Sequence, residues 1–180
     1  MKNKILDRYE KTIDDEIIIN ISTEKIEDLY VNYDKNSSFI KKDLNDELEK
    51  YLVQSIEEIG NHPFIIKFYF NENPETQTKE KLKNSIKNYF EYLQHLEQIK
   101  LKKQVKNSFI FILFGFVFIS IALFLGDTEK FLLRLFSEGV MVAGWVSLWE
   151  AMATILIKWL PLKNKLEIYK KIANAKIDIS

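Results

Sequence analysis

Ser108–Leu125 reads SFIFILFGFVFISIALFL and Gly139–Leu160 reads GVMVAGWVSLWEAMATILIKWL. A hydrocarbon core about 30 Å thick takes roughly 20 helical residues. Each run is therefore long enough to cross a bilayer, the second with some tilt. They sit close together near the end of an otherwise highly charged chain. The expectation is a transmembrane hairpin: a first helix over residues 108–126, an external loop over 127–138 and a second helix over 139–160.

Flanking charge orients it. Lys100, Lys102, Lys103 and Lys106 precede the first run, and Lys163, Lys165, Lys170 and Lys171 follow the second. The connection holds only Lys130 and Arg134, against Asp127, Glu129 and Glu138. Basic flanks stay cytoplasmic, so a multi-pass protein of the cell (inner) membrane with both termini in the cytoplasm is expected. Lys100, Lys102, Lys103, Lys106, Lys163 and Lys165 are candidates for anionic lipid headgroups, although fixing topology is their commoner role. Trp159 and Tyr169 suit the inner interface. Phe131, Leu132, Leu133, Leu135 and Phe136 make the loop a short helix lying flat in the outer headgroup layer, or else a tight connection.

At about 100° per residue, Gly139, Ala143, Ser147, Ala151 and Thr154 share one face of the second run. Small residues at this spacing let helices approach closely. Ser108, Gly115, Ala122 and Gly126 make a matching stripe on the first, so the two are expected to pack stripe to stripe. Trp145, Leu148, Trp149, Met152 and Leu156 would face lipid. Glu150 falls on the small-residue face and should point into protein. An acid at that depth costs roughly 2.5–3.5 kcal/mol on insertion scales. Two accounts fit it. One is a proton- or cation-linked site. The other is a protonated acid bonded to a serine, a threonine or a backbone carbonyl; Ser147 and Thr154 share its face. Lys158 lies two turns on and can snorkel to the interface. Two helices enclose no pore, so transport would need an oligomer.

The chain ahead of the hairpin is polar. Residues 1–15 read as a loose lead-in and residues 16–107 as a cytoplasmic domain. Glu16–Ser22 is short and β-branched, a strand. Thr23–Tyr33 suits a short helix capped by Thr23, and Asp34–Lys42 a loop. In Asp43–Gly60, Leu44, Leu48, Tyr51, Leu52, Ile56 and Ile59 recur at threes and fours, an amphipathic helix with Asp43 as N-cap and Gly60 as its stop. Phe64–Asn71 alternates as a strand. Asn73 and Pro74 open a long helix whose buried side carries Leu82, Ile86, Tyr89, Phe90, Leu93, Leu96 and Val105. No breaker separates it from the first span. Residues 161–180 read as a helical cytoplasmic tail.

The fold class expected is α+β: a small β-α-β-α cytoplasmic domain whose last helix continues into the two-helix transmembrane hairpin as a rigid extension. Two strands make a thin sheet. Either a third strand hides in residues 1–15, or a second copy or a partner completes it.

Composition removes several chemistries. Lysine plus arginine and aspartate plus glutamate number 26 each, so no bulk charge favours nucleic acid. With no cysteine there is no disulfide, thiolate metal site or cysteine nucleophile. MKNKILDRYEKTIDDE has no apolar core, so no cleavable leader is expected and the first span would serve as the insertion signal. His62 and His95 lack metal-ligand spacing. Asp14/Asp15 and Glu57/Glu58 are adjacent pairs on solvated faces. No Walker loop, GxGxxG or GxSxG occurs. Neither an enzyme nor a cofactor or metal is expected.

Two stretches carry a resemblance. The first is Phe39, Asp43-Leu44 and Glu47 through Tyr51-Leu52. The second is Glu138-Gly139 through Gly144-Trp145-Val146, then Leu148-Trp149, Trp159, Pro161-Leu162 and Tyr169. They resemble an uncharacterised family of small bacterial and archaeal two-span membrane proteins with an N-terminal cytoplasmic domain. The family pattern has arginine-proline after the tryptophan, where this chain has Glu150-Ala151. The resemblance implies the hairpin and the cytoplasmic domain, and no activity. The resulting expectation is a membrane-anchored cytoplasmic interaction or scaffold module that self-associates or joins an unidentified protein partner. The alternative is a subunit of an oligomeric ion or proton pathway using Glu150.

Overall fold

The computed structural model describes residues 5–34, 37–126 and 129–180. It is mixed α+β, with a four-stranded sheet and two helices long and apolar enough to cross a membrane. The chain divides into two compact units, Met1–His95 with Leu166–Ser180, and Leu96–Lys165.

The first unit holds the sheet. Its strands are β1 (Glu10–Lys11), β2 (Ile17–Thr23), β3 (Phe64–Phe70) and β4 (Lys176–Ile179), in spatial order β1-β2-β3-β4. β2 and β3 pair in parallel from Ile17↔Phe64 to Thr23↔Phe70. β4 joins β3 in parallel, Ile65↔Lys176 to Phe68↔Ile179. β1 is antiparallel to β2, with Glu10 opposite Ile18. Parallel neighbours require a crossover. Helix α1 (Asp46–Ile59) makes the first one. Between β3 and β4 lie α2 (Thr76–Gly126), α3 (Phe131–Ala153), a π-helical stretch (Thr154–Trp159) and α4 (Leu160–Ala173). The whole hairpin is thus an insertion within the second crossover of one sheet.

Alternation explains the core. Ile17, Ile19 and Ile21 of β2 are buried while Asn20 and Ser22 are exposed, one face apolar and one polar. Ile66 and Phe68 of β3 and Ile179 of β4 join them against Leu52, Ile56 and Ile59 of α1, Leu82, Ile86 and Phe90 of α2, and Tyr169 and Ile172 of α4. Glu49 of α1 accepts hydrogen bonds from Tyr89 and Tyr169, both at 2.8 Å. One carboxylate thereby joins three helices.

Several expectations change. The thin two-stranded sheet gains β1 from within residues 1–15 and β4 from the C-terminus, so the chain completes its own sheet. The C-terminal segment is helix followed by strand, not a helical tail. Side chains also occupy backbone groups along the edges of the sheet. Ser180 exchanges backbone hydrogen bonds with Phe68 and Phe70, so the neighbouring Ile179 turns its backbone outward. There the Ile179 carbonyl accepts from Lys79 Nζ at 3.0 Å and its N–H donates to the Asp178 carboxylate at 3.0 Å. On the other side the Tyr51 hydroxyl donates to the Asn20 carbonyl at 3.2 Å. Side chains that occupy edge groups in this way discourage strand addition.

Local boundaries move too. The N-cap of α1 is Asn45, whose side chain accepts from Glu47 N–H, and not Asp43. Gly60 ends the helix at φ +70, a left-handed value that suits glycine. Thr23 closes β2 instead of capping a helix; the segment winds only as two short 3₁₀ turns, Ile26–Leu29 and Asn32–Asp34. α2 starts at Thr76, after the Asn-Pro pair. The segment expected to lie flat as an external helix is, from Phe131 onward, the first turns of α3. Asp127 and Thr128 lie outside the described residues.

Candidate functional site

The second unit packs two helices through small residues. A Cβ added to Gly115 would meet Leu148 at 2.6 Å, and one added to Gly144 would meet Ile119 at 2.7 Å. The Ser137 hydroxyl donates to the Ala122 carbonyl at 2.7 Å. Ser108, Gly115 and Ala122 lie seven apart on α2, and Ser137, Gly144 and Ala151 seven apart on α3; all six are buried. Gly115 opposes Gly144 and Ala122 opposes Ser137, so the same antiparallel register sets Ser108 at the level of Ala151. A seven-residue repeat is the signature of helices wound at a shallow crossing.

The stripe expected on α2 is therefore found, apart from Gly126, which is exposed. The stripe expected on α3 is half wrong. Ala151 and Thr154 are buried, but Gly139 and Ala143 are exposed and Ser147 donates to its own helix at Ala143. Gly144 and Ser137 take their place. Leu148, expected to face lipid, meets Gly115, while Trp145, Trp149, Met152 and Leu156 are exposed as expected.

Glu150 also differs. Its side chain is 44% exposed, not enclosed, and it pairs with Lys158 at 3.2 Å. Thr154 donates to the same carboxylate oxygen at 3.4 Å. In an α-helix a residue eight positions on lies about 80° round the axis. The π-helical stretch, with its wider turn, rotates less per residue and brings Lys158 back toward the face of Glu150. Helical side chains tilt toward the N-terminus, so Lys158 runs back to the acid and does not snorkel away. The result is a polar ladder, Glu150–Thr154–Lys158, on an apolar helix. The three residues stand in the sequence, but α-helical phasing would turn Lys158 about 80° away from Glu150.

A second charge cluster was not anticipated. Glu97 is 4% exposed; Lys100 lies 2.9 Å and Lys165 3.6 Å from one of its oxygens. The other oxygen is buried without a hydrogen-bond partner. Two of the eight flanking lysines are thus drawn to one acid. Lys102, Lys103 and Lys106 are exposed, and Lys163 sits over the Trp159 ring, 5.3 Å from its centroid.

In the first unit, a cleft of about 530 Å³ opens beyond the carboxyl ends of β2 and β3, among Glu24, Glu27, Glu72, Glu75, Lys25 and Thr78. That is where open α/β sheets place ligands. Among the described residues no His, Cys, Asp or Glu group is arranged to hold a metal. His62 and His95 are exposed and apart from any such cluster. No family model, curated protein or solved structure matches the chain.

Proposed function

We propose that the chain is a two-span protein of the cell (inner) membrane, with both termini cytoplasmic, whose sheet-bearing unit is an interaction module and whose hairpin self-associates. The observation that carries this is the half-exposed Glu150–Lys158 pair. On a helix face turned to hydrocarbon, charged groups are costly and their polar atoms want partners. A patch holding one acid and one base is self-complementary. A second copy related by a two-fold axis can therefore offer its own lysine and acid in return. Lysine-rich flanks support the orientation. Strand β4 completes the sheet within the chain, and side chains occupy edge groups of β2 and β4, which supports the hairpin as the assembly surface.

Light scattering on the full-length protein in mild detergent, corrected for bound lipid, tests the reading. A defined oligomer that dissociates on Lys158→Leu is the expected result. A monomer whose mass and stability ignore that substitution would remove the assembly role. The rival reading, an ion or proton pathway, draws on the same ladder and needs the same oligomer. Flux in proteoliposomes unchanged by Glu150→Gln would eliminate it.

A further inference from the structure

The hairpin unit contains an apolar slot of about 240 Å³ between Val105, Ser108, Phe109 and Ile112 of α2 and Ile155 and Trp159 of the π-helical stretch. Its walls are almost wholly apolar, and the Ser108 hydroxyl is already used, donating to the Gln104 carbonyl at 3.1 Å. A water needs two to four polar partners, more than this lining supplies. A gap beside apolar atoms forfeits their dispersion contacts. An acyl chain meets both conditions. The slot also coincides with the π-helical stretch, a local irregularity that often marks a functional position.

One end of the slot is basic. The Lys163 ammonium is held over Trp159, itself a wall of the slot. Lys102 lies one helical turn before Val105, on the side of Val105 and Phe109. Lys100 and Lys165 differ from these two, since Glu97 engages both. Among the described residues neither Lys102 nor Lys163 has a carboxylate partner. Two ammonium groups without a carboxylate partner among the described residues, beside an apolar slot, match a phosphate attached to a chain.

We propose that this slot binds an anionic phospholipid of the cytoplasmic leaflet, its acyl chain between α2 and the π-helical stretch and its phosphate at Lys102 and Lys163. The inference rests on the membrane placement proposed above. Its test uses the full-length protein in nanodiscs containing equal parts phosphatidylcholine and phosphatidylglycerol, followed by extraction and quantification of the lipid that stays bound. Enrichment of phosphatidylglycerol over the supplied ratio is expected. Lys102→Gln and Lys163→Gln should each reduce that enrichment roughly fivefold, leaving the amount of bound lipid nearly unchanged. Ile155→Trp, which fills the slot, should release the lipid whatever its headgroup. A second readout does not depend on that variant. With Trp145 and Trp149 replaced by phenylalanine, bromine-labelled phosphatidylglycerol should quench Trp159 more than bromine-labelled phosphatidylcholine. Equal retention and equal quenching of the two lipids, with the protein still in the membrane fraction, would overturn the site. Recovery of the protein in the soluble fraction without detergent would instead overturn the membrane reading beneath it.

Discussion

Lys158 reaches back eight residues to place its ammonium 3.2 Å from Glu150, and the consequences of breaking that contact are asymmetric. Removing one member leaves a lone charge on an apolar surface, whereas removing both leaves none. Glu150→Leu alone should destabilise the protein by about 3 kcal/mol in the proposed bilayer setting. Adding Lys158→Leu should restore most of that loss while the oligomer stays dissociated, and a double-mutant cycle by denaturant unfolding in detergent would read both. Single residues also set the alkaline limit of the sheet unit. Tyr30 is 1% exposed, and burial pushes its phenol from 10.0 up to about 12. Burial, then the Glu49 carboxylate, pushes Tyr89 upward as well. A raised phenol binds its proton more tightly in the folded state. Its stabilisation is thus complete below pH 10 and is lost as pH rises toward the folded value. Unfolding free energy should stay flat to about pH 10 and then fall by up to ~1.4 kcal/mol per pH unit for each such phenol. Tyr30→Phe should shallow that limb, with tyrosinate absorbance marking the transition. The residues themselves were legible in the sequence; the pairing of Lys158 was not, because no apolar period announces a π-helical stretch.

Two helices that meet through glycine leave no room for a side chain. At Gly144, the nearest atoms to an added Cβ are Ile119 Cγ1 at 2.7 Å, with the Ile119 amide and the Gly115 carbonyl at 3.2 Å. The last two belong to backbone and cannot rotate away. Gly144→Ala should therefore cost about 1–3 kcal/mol of hairpin stability, and Gly139→Ala, which meets nothing within 4 Å, should cost none and, inside a helix, gain up to about 1 kcal/mol. A comparison of thermal unfolding in detergent separates them; equal effects would mean that Gly144 is not at the crossing. The contrast shows how a pattern misleads at the scale of an element. On α2, the spacing of Ser108, Gly115 and Ala122 is already seven, so the stripe read from sequence and the buried stripe agree. On α3, Gly139, Ala143 and Ser147 make an equally regular i, i+4 row that drifts off the contact, since packed helices follow a repeat of 3.5 and not 3.6 residues. Strand β1, at two residues, is too short for any period to register. Strand β4 (KIDI) has the right alternation, with Ile179 buried and Asp178 exposed, but follows a lysine-rich helix that reads as its continuation. By contrast α1 and β3 were plain from hydrophobic spacing alone.

At the scale of the whole molecule, the strands keep their sequence order across the sheet, but the unit that holds them is not one continuous stretch of chain. The sheet unit is assembled from both ends of the chain, and the hairpin occupies the middle of its second crossover. Nothing local in the sequence marks this, because a discontinuous domain is defined by long-range contacts such as Tyr169 to Glu49 and Ile179 beside Phe68. The arrangement has a physical consequence. Every buried apolar side chain of the sheet core, from Ile17 to Ile179, lies outside residues 96–165. A sheet unit freed of the hairpin therefore keeps its whole core, provided the α2 and α4 segments that pack on it remain joined. Replacing residues 96–165 by a flexible glycine-serine linker should give a protein that needs no detergent and unfolds cooperatively, with Tyr89 and Tyr169 still in slow-exchanging, packed positions by NMR. Ending the chain after Asn174 makes the opposite change. It retains both long apolar helices but removes β4, exposing the outer edge of Phe68 and releasing Lys79 from the Ile179 carbonyl. That chain should still enter membranes yet lose the cooperative unfolding of its sheet unit and become protease-sensitive between β2 and β3. If the linker variant were instead unfolded while the truncated chain stayed cooperative, the sheet would owe its stability to the hairpin and not to the closure of its own two ends.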